Sequence, residues 1–161
     1  MLHQLRNLPA DELQELLDAI PVITLLIAGA DGEIDDDELS TSEKITKIRG
    51  YSGGEIMQDF YDKVGEDYTE RLSRWLKVIP KDTAERTADL SGRLEKLNPI
   101  LAKLAPELGA EMYKSFTSFA THVAKASGGF LGFGSINKEE ANLVSLPMLT
   151  PIIVETEDDE A

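Results

Sequence analysis

Six carboxylates lie within the eight residues from Asp31 to Glu38. Carboxylates this close together repel one another, and a hard cation with oxygen ligands would relieve that repulsion. Asp31 and Asp35 flank one short turn, and Glu38 follows at a position from which its side chain can reach back toward that turn. These three residues are the predicted metal ligands, and Glu33 and Glu140 are the next candidates. Since no soft ligand is present, the site would prefer Ca²⁺, Mg²⁺ or Mn²⁺ over Zn²⁺ or Cu²⁺.

The acidic stretch matches only half of an EF-hand loop. Gly32 and Glu38 fall at the positions that a glycine and the last glutamate occupy in that motif. The first and third loop positions would be Ile27 and Gly29, whose side chains offer no oxygen. Any ion would need water or acids from elsewhere in the fold, so we expect weak binding, with a dissociation constant on the order of 10⁻⁴–10⁻³ M.

Helix capping is the alternative explanation of the same acids. Gly32 can end a helix at little conformational cost, and Asp35 is then an N-cap residue with Glu38 as its capping-box partner. Asp36 and Asp37 fall in the first turn, where the helix dipole favours negative charge. A cap needs one or two acids, whereas six are present, so both interpretations stay open at this point.

The composition fits one acidic domain with a hydrophobic core. The chain has 161 residues, 42% of them hydrophobic, a mean hydropathy of −0.21 and a formal net charge of −14. This charge argues against nucleic acid or anionic lipid as a partner over most of the surface, because both favour Lys and Arg. It permits a cation or a basic protein partner. Without cysteine, disulfides, thiolate metal sites and a Cys nucleophile are excluded, and His3 and His122 are too few for a His-rich zinc site.

No targeting or membrane segment is evident. The N-terminal region lacks the basic start, apolar core and small-residue cleavage site of a secretory signal. The longest apolar run, Val22–Ala28, is too short to span a membrane. We therefore expect a cytoplasmic protein with no direct membrane span.

Apolar residues recur at spacings of three and four from Leu13 to Leu146, with no strand-like alternation. This pattern predicts a single-domain all-α bundle of about seven helices over residues 1–150, followed by an acidic, disordered tail over residues 151–161. Val22–Ala28 predicts a buried central helix ending at Ala30, with a break or kink at Pro21. The other predicted helix faces carry Leu39, Ile45 and Ile48; Met57, Phe60, Tyr61 and Val64; Leu90, Leu94, Leu97, Leu101 and Leu104; and Leu108, Met112, Phe116, Phe119 and Val123.

A second junction near the C-terminal end resembles the acidic one. The pattern predicts a glycine-rich loop over Ser127–Ser135 and a last helix from Asn137 to about Pro147. Both junctions have a helix ending in alanines, then a Gly, an Ile, an Asx cap and a Glu at the third helical position. If the two copies form a pseudo-symmetric pair, Glu140 would complete the ligand set of the first.

The residues Ala30-Asp31-Gly32-Glu33-Ile34-Asp35, followed by Glu38-Leu39, resemble the signature of TerB-like proteins, the tellurite-resistance family. The resemblance implies an all-helical fold with a helix–acidic turn–helix motif in each half, an acidic divalent-cation site, and a cytoplasmic stress or membrane-associated partner role, without established catalysis. In the second motif only Glu140 keeps a carboxylate, Asn137 keeps an oxygen, and Ser127 replaces an aspartate.

Three function classes follow from these observations. The first is a non-enzymatic TerB-like module that binds a divalent cation and a protein partner. The second is a metal-independent interaction domain that docks a partner through Phe130–Phe133 or its acidic tail. The third is an unassigned hydrolase, although the chain has no nucleophile elbow. His122 is expected at the surface or core edge, and Trp75 in the core.

Overall fold

The computed structural model describes residues 5, 7–30, 34, 36–52, 55–130 and 142–154, and all regular structure in these ranges is helical. This agrees with the all-α class that the spacing of apolar residues predicts. The number of helices in the whole chain and the pseudo-repeat stay predictions, because the second junction lies outside the described ranges. The described helices are α1 (Ala10–Ala28), α2 (Asp36–Ser52), α3 (Glu55–Glu66), α4 (Tyr68–Val78), α5 (Thr83–Glu95), α6 (Leu97–Lys103) and α7 (Pro106–Phe130).

Helix α1 is the centre of the bundle and packs against each of the helices α2 to α7. All of its residues from Ala19 to Ala28 are buried, which confirms the predicted central helix. The helix does not break at Pro21, as the sequence had suggested, but continues to Ala28. Proline in a helix removes one hydrogen bond and costs about 3 kcal/mol. Burying each large apolar side chain on this helix gains about 1.5–3 kcal/mol, which outweighs that loss.

The apolar stripes of α5, α6 and α7 close the core around α1. Each predicted residue of the two leucine- and phenylalanine-rich stripes is at most 8% exposed. Both stripes keep helical spacing across the bundle, so their burial follows directly from the sequence pattern. The first stripe consists of Leu90 and Leu94 in α5, Leu97 and Leu101 in α6, and Leu104 directly after α6. The second consists of Leu108, Met112, Phe116, Phe119 and Val123 in α7.

The turns between the later helices follow local rules. Asp82 caps α5, and its carboxylate accepts a hydrogen bond of 3.0 Å from the backbone N–H of Glu85. The chain turns at Lys96, between α5 and α6 and three residues before Pro99, and Pro106 opens α7 at the position where proline is tolerated.

Helix α7 extends beyond its predicted end. It continues through Ser127, Gly128 and Gly129 to Phe130, where the sequence predicted a loop from Ser127 onward. Glycine inside a helix costs only about 1 kcal/mol relative to alanine, so two glycines at the end of a long packed helix do not stop it. Residues 131–135 of the predicted loop lie outside the described ranges.

The predicted last helix, from Asn137 to about Pro147, is described only from residue 142. There, 142–143 are helical, and the chain then turns at Leu146, which has a φ of 49° and is fully buried. None of the described helices is long and apolar enough to cross a lipid bilayer.

Candidate anion-binding site

The acidic stretch joins the central helix to its neighbour. Helix α1 ends at Ala28 and α2 begins at Asp36, so the acids lie on or beside the connection between them. The structure does not describe Asp31, Glu33, Asp35 or Glu140, and it gives no side-chain position for Glu38. Among the described residues, no three His, Asp or Glu side chains are grouped in a way that could hold a metal ion. The predicted cation site therefore stays a prediction.

A buried arginine, which the sequence did not single out, lies at the start of this connection. Arg86 of α5 is 6% exposed, and its Nη2 donates a hydrogen bond of 2.9 Å to the carbonyl oxygen of Gly29. Its Nη1 donates to the carbonyl oxygen of Lys81 at 3.3 Å. A positive charge at the C-terminal end of a helix interacts favourably with the helix dipole. Arg86 thus fixes the end of α1 just before the acidic residues.

A buried hydroxyl cluster holds the first turns of α2 against α1. The hydroxyl of Tyr68 lies 2.9 Å from Thr24 Oγ1 of α1 and 2.8 Å from Ser42 Oγ of α2. Burial raises the pKa of Tyr68 to about 12, although the bonds to Ser42 and Thr24 oppose this effect. Tyr68 stays protonated at neutral pH, and its hydroxyl joins α1 to α2.

The inward face of α2 combines polar and apolar residues, with Leu39 and Ile45 packed against the core as predicted. Ser42 and Thr46 are at most 1% exposed, whereas Ile48, which the sequence placed on the inner face, is 60% exposed. Hydroxyls can be buried here because they donate to backbone carbonyl oxygens, Ser42 to Leu39 at 2.6 Å and Thr46 to Ser42 at 2.9 Å. Arg49 continues the same face toward α7, so the prediction for Ile48 was wrong.

Arg49 crosses from α2 to α7 and bonds only neutral groups. Its Nη2 donates to Ser118 Oγ at 3.0 Å and lies 2.7 Å from His122 Nδ1. Its Nη1 donates to Ser115 Oγ at a longer distance of 3.4 Å. No described carboxylate lies within ion-pair distance of this guanidinium. Its positive charge is therefore uncompensated in the part of the chain that the structure describes.

Two aromatic rings enclose the guanidinium of Arg49. Its Cζ lies 5.4 Å from the centroid of Tyr61 and 5.6 Å from that of Phe119, and both distances fit cation–π contacts. Its Nε is buried and has no hydrogen-bond partner. A buried donor without a partner costs about 1–3 kcal/mol. At least one N–H donor of the Arg49 guanidinium therefore has no hydrogen-bond acceptor among the described residues.

A pocket of about 220 Å³ opens beside Arg49, between α2, α3 and α7. Its wall combines the guanidinium with the hydroxyls of Tyr61, Ser115 and Ser118. The hydroxyls of Tyr61 and Ser115 are themselves 2.7 Å apart, and burial raises the pKa of Tyr61 above its usual value. The apolar side chain of Met57 and the charged residues Glu111 and Lys114 complete the lining. The pocket thus presents several hydroxyls and two cations against one carboxylate.

His122 is held as a neutral imidazole at the edge of this cluster. Arginine has no acceptor, so the short contact requires that Nδ1 of His122 accepts and that its proton lies on Nε2. Burial, followed by the charges of Arg49 and Lys125, lowers the pKa of His122 below its usual 6.5. As predicted, the side chain is at the surface of α7 rather than in the core. A weakened base that faces a cation is poorly suited to general-base catalysis.

The amino-acid sequence carries only a weak signal for this site. Arg49 follows Ser42 and Thr46 at the spacings of one helix face, but a stripe of Ser, Thr and Arg is indistinguishable from a solvated face without its partners. Those partners lie far away along the chain, with Ser115 66 residues and His122 73 residues from Arg49.

Comparisons with known proteins returned no match: no family model matches the chain, and no similar protein was found among curated proteins or solved structures.

Proposed function

We propose that this chain is a non-enzymatic binding module that recognises an acidic side chain of a protein partner through the Arg49 pocket. The observation that carries the proposal is the guanidinium of Arg49, which lines a pocket and has no described carboxylate within ion-pair distance. Arg binds carboxylates through several N–H donors at once, and such charge-assisted hydrogen bonds are stronger than neutral ones. An acidic partner group would therefore supply the negative charge that the described part of the fold does not place beside Arg49.

The size of the pocket supports one side chain as the ligand. Sites for drug-sized molecules and cofactors measure about 300–1,000 Å³, and this pocket of about 220 Å³ is smaller. A glutamate side chain would place its carboxylate against Arg49 and its methylene groups against Met57 and the ring of Tyr61. This arrangement uses both the charge and the apolar part of the lining.

The environment of His122 favours binding over catalysis. Its Nδ1 contacts a cation, whereas in a nucleophile–base pair the imidazole would accept a proton from a serine or be oriented by a carboxylate. Ser118 bonds the same Nη2 of Arg49. The proposal therefore assigns these groups to holding the guanidinium, and it includes no catalytic step.

We further propose that the acidic connection binds a divalent cation, Ca²⁺, Mg²⁺ or Mn²⁺, through Asp31, Asp35 and Glu38, with Glu33 and Glu140 next. The supporting observation is that α1 ends at Ala28 and α2 begins at Asp36, so Asp31, Glu33 and Asp35 fall between two packed helices and Glu38 lies in the first turn of the second. The TerB-like resemblance adds to this proposal, and a stress-response role in the cytoplasm is an extension that depends on that resemblance alone. Thermal melting with and without the chloride salt of each cation, at constant ionic strength, tests this second part.

The Arg49 proposal is tested with a minimal mimic of a glutamate side chain. N-acetylglutamate amide carries one carboxylate, and N-acetylglutamine amide is its neutral control. Two hydrogen bonds to a charged group provide about 3–5 kcal/mol, so we expect a dissociation constant on the order of 0.1–10 mM by titration followed by NMR. Arg49→Gln should abolish binding. Lys47→Gln, which removes one exposed charge from the same helix, should preserve it.

Two results would contradict the proposal. One is equal binding of the charged and the neutral compound, because the carboxylate would then contribute nothing. The other is unchanged binding by the Arg49→Gln variant, because the ligand would then lie elsewhere.

A further inference from the structure

A second surface, formed by α4 and α5, carries positive charge in a chain whose formal net charge is −14. Residues 71–81 contain four cations and no acid, and Arg93 of α5 lies beside them. We call this the Trp75 groove. It is a groove of about 510 Å³ between the two helices, lined by Asp18, Arg74, Trp75, Lys77, Val78 and Arg93.

The cations of the Trp75 groove are not used inside the described fold. Arg74 and Lys77 are exposed, and neither forms an ion pair with a described residue. Arg93 contacts the ring of Trp75, with its Cζ 5.1 Å from the ring centroid. The single acid of the lining, Asp18, already accepts a hydrogen bond of 2.8 Å from Arg71. The groove therefore presents a net positive charge to solvent.

The same groove has an apolar component at its centre and rim. Trp75 is only partly buried, although the sequence placed it in the core, and Val78 is 71% exposed. An aromatic ring with cations around it matches a segment that has both apolar residues and carboxylates. A plain polyanion would leave the ring and Val78 uncovered.

The end of this chain has that composition. Ile152, Ile153 and Val154 are followed by five acids within residues 155–160. Ile153 is 85% exposed, so its side chain is available for a contact that the described residues do not make. Charge and apolar pattern both complement the Trp75 groove.

Before the segment begins, the described chain contacts Asn98 of α6 through Thr150 and Gly109 of α7 through Ile152, so it leaves the fold beside α6. The backbone N–H of Thr150 donates a hydrogen bond of 2.8 Å to Asn98 Oδ1, and Asn98 directly follows Leu97. Leu97 lines a narrow cleft together with Trp75 and Arg93. The last described residue is Val154. The six residues that follow it, 155–160, can span up to about 22 Å, at about 3.6 Å per residue. This length is comparable to the diameter of two packed helices.

We infer that residues 153–160 dock in the Trp75 groove of the same chain, with the acids against Arg74, Lys77 and Arg93. Tethering gives such a segment an effective concentration in the millimolar range, so weak exposed ion pairs suffice to hold it. An acidic partner that uses the groove must first displace the segment. This inference is independent of the Arg49 pocket, which lies on α2, α3 and α7.

The only tryptophan of the chain lies in the groove, so acrylamide quenching of its fluorescence reports on docking. The full chain is compared with a chain that ends at Val154, and with a full-length variant in which the five acids of residues 155–160 become amides. At low salt, quenching should rise in both variants. Near 0.5 M salt, where the Debye length is about 4 Å, the difference should be lost. Circular dichroism confirms that each variant keeps its helices.

Charge variants of the groove supply the matched control. Arg74→Gln combined with Lys77→Gln should increase quenching in the full chain as truncation does. Lys44→Gln combined with Lys47→Gln removes the same charge from exposed positions on α2 and should leave quenching unchanged. Adding a peptide of residues 150–161 should restore protection to the truncated chain.

Equal quenching in the full and the truncated chain would overturn the inference. So would a difference that grows with protein concentration, because the segment would then bind a second copy rather than its own chain.

Discussion

Arg71 and Arg49 provide a direct test of which arginine stabilises the fold and which serves a ligand. Arg71 of α4 has a side chain only 7% exposed and is bonded on every nitrogen. Its Nε donates to Asp67 and its Nη1 to Asp18, both at 2.8 Å, and its Nη2 donates to Gln14 at 2.6 Å. Burial lowers the pKa of Arg71, but the bonds and charges of Asp67 and Asp18 outweigh it and raise the pKa above its usual value.

Arg71→Met should therefore be strongly destabilising. Removing one partner of a buried ion pair costs about 3–5 kcal/mol. The side chains of Asp18 and Asp67 are 25% and 37% exposed, so water can partly replace the lost partner. We expect a loss of about 2–3 kcal/mol in the free energy of unfolding, which lowers the melting temperature by about 4–12 °C in a chain of this length.

Arg49→Met should cost much less. Its two cation–π contacts contribute about 0.5–1 kcal/mol each, and its hydrogen bonds reach only neutral oxygens and an imidazole. The buried Nε without a hydrogen-bond partner costs about 1–3 kcal/mol, which offsets the stabilisation from these contacts. We expect a change within about 1 kcal/mol.

Urea denaturation followed by circular dichroism measures both variants under the same conditions. The reasoning is refuted if Arg49→Met destabilises the protein as much as Arg71→Met, because Arg49 would then be a structural residue.

Three further predictions concern the connection between α1 and α2. Tyr68→Phe should lower the free energy of unfolding by about 1–3 kcal/mol, since it removes the hydroxyl that joins the two helices, and urea denaturation would show no loss if that hydroxyl were unimportant. Gly29→Ala should lower the melting temperature, because its Cβ would lie 2.9 Å from the backbone oxygen of Leu25 and 3.0 Å from two nitrogens of Arg86; an unchanged melting curve would contradict this. Asp35→Asn retains capping ability, so it should abolish stabilisation by Ca²⁺, Mg²⁺ or Mn²⁺ without lowering stability in their absence. A cation effect that persists in this variant would exclude Asp35 as a ligand.

The parts of the fold that depend on local or periodic signals were predictable. The stripe from Leu90 to Leu104 and the cap at Asp82 follow from spacing and from side-chain chemistry that act within a few residues. Pro21 shows the limit of such rules. A local breaker signal yields to tertiary packing when the flanking residues are all buried.

The Arg49 site could not be predicted, because its meaning arises from residues distant in sequence. Among the described residues of α2, the fully buried ones are Ser42 and Thr46, whereas apolar periodicity selects the exposed Ile48 together with the partly buried Leu39 and Ile45. Whether Arg49 is solvated or enclosed depends on Tyr61 and Phe119, which only the packing of α2 against α3 and α7 brings together. In contrast, the acidic stretch is prominent in sequence because its residues are consecutive.

His122 provides a probe within the Arg49 site whose pH dependence has a definite sign. Because its pKa in the folded chain is lowered from 6.5, the unfolded chain binds more protons below that pH. Its contribution to the free energy of unfolding is therefore complete above pH 6.5 and decreases as the pH falls toward the folded pKa. A carboxylate bound at Arg49 would neutralise one of the charges that lower this pKa.

An NMR pH titration of His122 with and without saturating N-acetylglutamate amide tests directly whether the Arg49 pocket binds an acidic side chain. A His3→Gln variant leaves a single imidazole to observe, since the chain has two histidines. We expect the carboxylate to raise the pKa of His122, and N-acetylglutamine amide to leave it unchanged. If the pKa of His122 is the same with both compounds, the Arg49 pocket does not bind an acidic side chain.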